Sequence, residues 1–144
     1  MMRAGPIPAA AALAALLLAP ALPGPARAAP ACGAEETQAG LNACLARQLG
    51  EADLALNAAY RALTARLGVD SPLRAPLTEA QRAWLRFRDA ECAFATAGSR
   101  GGSFHPAAQS GCLLGLTRQR LEALQAYLDC AEGDLACPVP PAGR

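Results

Sequence analysis

Six cysteines in a chain of 144 residues limit what this sequence can fold into more than any other feature. Cys32, Cys44, Cys92, Cys112, Cys130 and Cys137 all follow an N-terminal segment that reads as an export signal. An even number of cysteines in an exported chain implies a disulfide framework. Zinc is the competing use, but zinc sites draw on closely spaced ligand pairs. No Cys-x-x-Cys occurs, and His105 is the only histidine. The expectation is structural disulfides, with no metal and no cofactor.

Arg3 supplies a positive start, and an uncharged run from Ala9 to Ala19 carries Leu13, Leu16, Leu17 and Leu18. Pro20, Pro23, Gly24 and Pro25 then break the run before Ala26-Arg27-Ala28, a small-x-small cleavage signature. The apolar run falls short of the roughly 20 residues that span a bilayer. Residues 1–28 therefore read as a signal peptide, and 29–144 as one domain in the periplasm or outside the cell, with no membrane insertion after cleavage. A lipoprotein fits less well, because Ala29-Pro30-Ala31 rather than a Leu-led lipobox precedes Cys32. The formal net charge is +1. Removing Arg3 and Arg27 takes it to about −1, which offers no footprint for nucleic acid or an anionic membrane.

Apolar residues recur in steps of three and four from about Glu35 to Leu67, through Leu41, Cys44, Leu45, Leu49, Ala52, Leu56, Ala59, Tyr60 and Leu63. Gly68 is a natural stop, and Pro72 and Pro76 reinforce the break. A second helix is expected from an N-cap at Thr78, with Ala80, Trp84, Phe87 or Arg88, and Glu91 or Cys92 on one face. Residues 98–106 read as a Gly-rich loop. A third helix follows from about Ala108 to Asp129, with Cys112, Leu113, Leu116, Leu121, Leu124 and Leu128 inward. The tail from about 131 reads as loose except where Cys137 holds it. The fold class is thus all-α: a small disulfide-stapled bundle of about three helices, a long first one followed by a helical hairpin.

Sequence alone leaves the disulfide connectivity open, but the helices suggest one. Cys92–Cys112 would clamp the hairpin beneath the Gly-rich loop. Cys130–Cys137 would pin the tail, and Cys32–Cys44 would tie the N-terminal arm to the first helix. The last pair requires Cys32 to lie outside the helix, since twelve residues of continuous helix span about 18 Å.

The stretch Ala80-Gln81-Arg82-Ala83-Trp84-Leu85-Arg86-Phe87-Arg88-Asp89-Ala90-Glu91-Cys92 resembles the LprI family of exported domains, named after a lysozyme inhibitor. Asp53-Leu54-Ala55-Leu56-Asn57-Ala58-Ala59-Tyr60 upstream resembles another stretch of that pattern. Downstream, Gly101-Gly102-Ser103, Cys112 and Leu116 to Leu124 follow in the same order. The resemblance covers most of the chain from Cys32 to about Leu128. It implies a helical envelope domain and, by the family's name, lysozyme inhibition. The partner it suggests is lysozyme or another envelope protein; the oligomeric state is not legible.

Trp84 reads as a core anchor, with Arg88 one turn on covering its ring or pairing with Glu91 or an acid on another helix. Trp and Arg are also the residues most often energetic at interfaces, but a small core needs this helix. Arg86 and Asp89 read as a surface pair, and Asn57 and Tyr60 as a polar bridge between helices. Arg118 and Arg120 are expected to reach acids on neighbouring helices. Binding is expected at the Gly-rich loop, through Arg100, Ser103, Phe104 and His105. Such a loop would aim hydrogen-bonding groups at the two carboxylates of a glycosidase cleft; its plain alternative is a connector. Catalytic residues are not expected: all six cysteines can pair, leaving no thiol for His105, and no nucleophile-elbow motif occurs. Facing carboxylates could still come from the 12 acids. The remaining rival is a structural or adaptor module that binds another envelope protein or peptidoglycan without inhibiting anything.

Overall fold

A computed structural model describes residues 32–131 and 133–139. The proposed signal peptide lies outside them. Three helices carry the fold: α1 (Gln38–Leu67), α2 (Arg74–Ala95) and α3 (His105–Leu128). Short 3₁₀ turns at Cys32–Ala34 and Ala97–Ser99 complete the described regular structure. The all-α, disulfide-stapled class expected from the sequence is what the chain adopts. None of the described helices is long and apolar enough to cross a membrane.

α1 starts where Thr37 caps it, accepting from Gly40 N at 3.0 Å. A Cβ on Gly40 would lie 2.7 Å from Glu35 Oε2 and 3.0 Å from Thr37 Oγ1, so a side chain there would crowd the cap. Gly68, at φ 77°, takes the left-handed conformation that ends the helix. Between these caps, Cys44, Gln48, Ala52, Leu56, Ala59 and Leu63 form one buried stripe along a helix about 45 Å long. α3 lies along that stripe in parallel, with Asn42 against Ser103 near the start and Arg66 bonded to the Leu128 carbonyl near the end. α2 returns antiparallel to both.

The helix starts differ from the sequence reading. α2 begins a turn before Thr78, because Pro76 falls in the first turn, where a missing N–H breaks no intrahelical bond. Thr78 does not cap; it donates to the Arg74 carbonyl at 2.9 Å. Arg74 in turn donates to the Thr64 and Gly68 carbonyls, at 3.0 and 3.2 Å, satisfying the end of α1. α3 begins at His105 rather than Ala108, with Pro106 in its first turn for the same reason.

The core gathers Leu56, Ala59, Leu63, Leu124 and Val139, flanked by Tyr60, Leu67, Leu77, Trp84, Leu121 and Leu128. Val139 is only 5 % exposed, so the tail that read as loose sends a side chain into the core. α2 contributes little to this core: only Gln81 and Cys92 are buried along it. Arg88, rather than Phe87, faces inward, while Phe87 is exposed. The guanidinium sits 5.2 Å from the Trp84 ring centroid. Its Nη1 donates to Asp53 on α1 at 3.0 Å and to Thr117 on α3 at 3.3 Å, and its Nε donates to Asp89 at 2.9 Å. One side chain thus ties three helices. Asp89 therefore pairs with Arg88, and Arg86 reaches Glu79 instead, at 3.3 Å. Arg118 and Arg120 meet amides rather than acids, donating to Gln48 and Gln81 Oε1 at 3.2 and 3.0 Å.

Arg88→Ala should destabilise the fold by about 2–4 kcal/mol, because it strands the buried Thr117 hydroxyl and uncovers Trp84. Asp53→Ala should cost less than about 1 kcal/mol, since that carboxylate is 41 % exposed and screened. Urea unfolding monitored by Trp84 fluorescence checks both.

Candidate functional site

The connection between α2 and α3 is short and fastened at several points. Cys92, in the last turns of α2, is bonded to Cys112 near the start of α3. Buried Thr96 Oγ1 lies 2.7 Å from the Cys92 carbonyl and 2.6 Å from Gln109 Oε1. Ser99 Oγ donates to the Thr96 carbonyl at 2.8 Å, which closes the 3₁₀ turn. Gly101, at φ 81°, allows the chain to reverse. Asn42 Nδ2 of α1 donates to the Ser103 carbonyl at 3.2 Å, so the tip is also anchored to the first helix. The other disulfides, Cys32–Cys44 and Cys130–Cys137, close the two ends of the described chain.

The four residues expected to bind take different positions on this tip. Arg100 and Phe104 are exposed, and Arg100 Nη2 donates to the Ala93 carbonyl at 3.2 Å. Ser103 is exposed while its carbonyl serves the Asn42 anchor. His105 turns inward, as the first residue of α3, with Nδ1 2.9 Å from Ser99 Oγ. With the Ser99 proton given to the Thr96 carbonyl, the imidazole donates to Ser99. That arrangement positions the tip and does not activate the hydroxyl. Every cysteine is in a disulfide, so no thiol stands beside His105.

The sequence reading missed Phe94, whose ring is 80 % exposed beside the tip, with Phe104 at 52 %. A signal for it existed. Phe94 is two residues past buried Cys92, a rotation of about 200° that carries it to the opposite face of α2. The tip thus presents two aromatic rings and a guanidinium on a backbone locked by a disulfide and side-chain hydrogen bonds.

A second concavity, of about 540 Å³, runs between α1 and α2 and is lined by the residues that carry the resemblance noted above: Asp53, Leu56, Asn57 and Tyr60 from α1, and Gln81 and Arg88 from α2. Thr78, Arg82 and Leu85 complete the wall. Tyr60 and Thr78 hydroxyls meet at 3.0 Å and bridge the helices. Asn57, expected to share in that bridge, is exposed, and among the described residues no side-chain hydrogen bond ties it to another helix.

The family model described as "Lysozyme inhibitor LprI" matches residues 28–124. An uncharacterized protein of Rhizobium meliloti (strain 1021) is 35 % identical over 114 residues, covering 72 % of this chain and 82 % of its own. The crystal structure of a DUF1311 family protein from Pseudomonas putida KT2440 superposes with a TM-score of 0.58 at 27 % identity, covering 63 % of this chain and 93 % of its own.

Opening the Cys92–Cys112 bridge by Cys92→Ala with Cys112→Ala should lower stability by about 3 kcal/mol, since it frees a 20-residue loop. Amide exchange at residues 97–104 should accelerate more than exchange in the middle of α1. Hydrogen exchange read by NMR measures both effects; equal acceleration throughout would show that the bridge does not organise the tip.

Proposed function

Because this chain belongs to the LprI family, we propose that it is exported by a signal peptide spanning residues 1–28 and binds a lysozyme-type glycoside hydrolase non-covalently in the cell envelope. The disulfides and the family both suit a periplasmic or extracellular setting. The observation that carries the reading is the fastened α2–α3 tip with Phe94, Phe104 and Arg100 exposed on it.

A lysozyme cleft is a groove that binds sugar rings around two carboxylates. A plug for it needs a protruding element that loses little entropy on docking. Aromatic rings fill sugar-ring subsites, and a guanidinium makes charge-assisted hydrogen bonds with carboxylates. Aromatic residues and Arg are also those that dominate binding energy at protein interfaces. With residues 29–144 near charge neutrality, long-range attraction to a cationic enzyme is weak, and contact at the tip supplies the affinity.

The protein should inhibit lysozyme stoichiometrically when titrated on cell-wall substrate. Replacing Phe94, Arg100 and Phe104 together by Ala should raise the inhibition constant by at least about 100-fold, as expected for removing an interface hot spot. The thermal unfolding midpoint should not move, because these side chains are exposed. Absence of inhibition for every lysozyme class at large molar excess would contradict the proposal. Full inhibition by the triple variant would move the contact away from the tip.

A further inference from the structure

The α1–α2 groove has binding chemistry that the tip does not use. Gln81 lies on its wall at only 8 % exposure, with Oε1 accepting from Arg120 Nε at 3.0 Å. Its amide nitrogen has no hydrogen-bond partner among the described residues, and it is not sealed from solvent. The bond from Arg120 fixes the side chain through its oxygen and leaves the amide hydrogens facing the groove, where a bound molecule can take the place of water. Arg88 adds a second fixed donor. Its Nε and Nη1 are committed to Asp89, Asp53 and Thr117, while Nη2 has no partner among the described residues.

Acceptors stand along the same groove. Asp53 commits Oδ1 to Arg88 and keeps a second carboxylate oxygen. Thr78 gives its proton to the Arg74 carbonyl, so Tyr60 donates to Thr78, and the lone pairs of the Tyr60 oxygen remain as acceptors. The Asn57 amide, without a partner among the described residues, offers both a donor and an acceptor. The partly exposed Leu85 provides apolar surface between these groups, with buried Leu56 behind it.

Three properties select the ligand class. Asp53 and Asp89 balance Arg82 and Arg88, so the site favours an uncharged molecule over a phosphate or carboxylate. Helical backbone satisfies its own N–H and C=O groups, so recognition here must come from side chains. Planar amide, carboxylate and guanidinium groups suit dense hydroxyls and a single amide carbonyl better than they suit an extended peptide, which pairs best with a strand edge. A volume of about 540 Å³ falls in the range of small-molecule sites.

We propose that the α1–α2 groove is a binding site for a neutral 2-acetamido sugar. The acetamido carbonyl accepts from Gln81 Nε2 and Arg88 Nη2, ring hydroxyls donate to Asp53 and Asn57, and a further hydroxyl accepts from Arg82 on the groove wall. Leu85 takes the apolar ring face. The site stands apart from the tip, and its test does not depend on lysozyme inhibition.

The test titrates the disulfide-intact protein with N,N′,N″-triacetylchitotriose and, separately, with cellotriose, following the Gln81 side-chain amide and residues 53–60 by ¹H–¹⁵N NMR. Saturable shifts are expected with the acetamido sugar, and affinity for cellotriose should be weaker by at least about ten-fold because it lacks the acetamido carbonyl that Gln81 and Arg88 would meet. Asn57→Ala and Arg82→Ala remove exposed side chains that have no partner among the described residues, so both variants should stay folded. Each should weaken binding by about five-fold or more, through lost hydrogen bonds. Absence of saturable shifts, equal affinity for the two sugars, or unchanged affinity in both variants would each overturn the assignment.

Discussion

Arg88 is the joint on which this fold depends. α2 buries too little apolar surface to be held by packing alone, and its guanidinium supplies what the core does not. It lies over Trp84, bonds to Asp53 on α1 and Thr117 on α3, and takes Asp89 as a local counter-charge. A partly buried cation is costly unless its donors are met. Here the partners come from three different helices, so satisfying the charge also fixes how the helices sit. A hydrophobic residue at this position could add packing but would not specify that geometry.

The same joint positions the two candidate surfaces. Below it, the separation of α1 and α2 leaves the groove, with Arg88 itself on the wall. Above it, α2 ends at the Cys92–Cys112 bridge, and the tip follows within a few residues. Hydrogen bonds from Asn42, Thr96 and Ser99 then set the tip against both neighbouring helices. A helix held by Arg88, one disulfide and hydrogen bonds such as Tyr60–Thr78 and Arg120–Gln81, more than by apolar burial, can present side chains on faces that a well-packed helix would bury. Exposure of Phe87 and Phe94 follows from that economy of packing.

Much of this architecture was legible in the sequence because helical periodicity and cysteine spacing are local signals. The stripe along α1 shows in Cys44, Ala52, Leu56, Ala59 and Leu63, and Gly68 marks its end. Helix starts were harder to read. Pro76 and Pro106 look like breaks, yet each stands in a first turn, where proline is tolerated. Val139 looked like part of a loose tail because its burial depends on how the chain returns to the core, which no local pattern encodes. The groove was hidden for a related reason. Gln81 becomes a fixed donor only when Arg120, 39 residues away, takes its oxygen. Phe94 was readable from its rotation relative to Cys92.

The central claim is that this fastened tip is the surface that meets a lysozyme. Hydrogen–deuterium exchange of the protein with and without saturating lysozyme tests it most directly, because residues 97–104 lie in turns rather than in long helices. The account predicts new protection concentrated at residues 94–105, with little change along the middle of α1. Binding that leaves residues 94–105 unprotected, or that protects the α1–α2 groove instead, would contradict it.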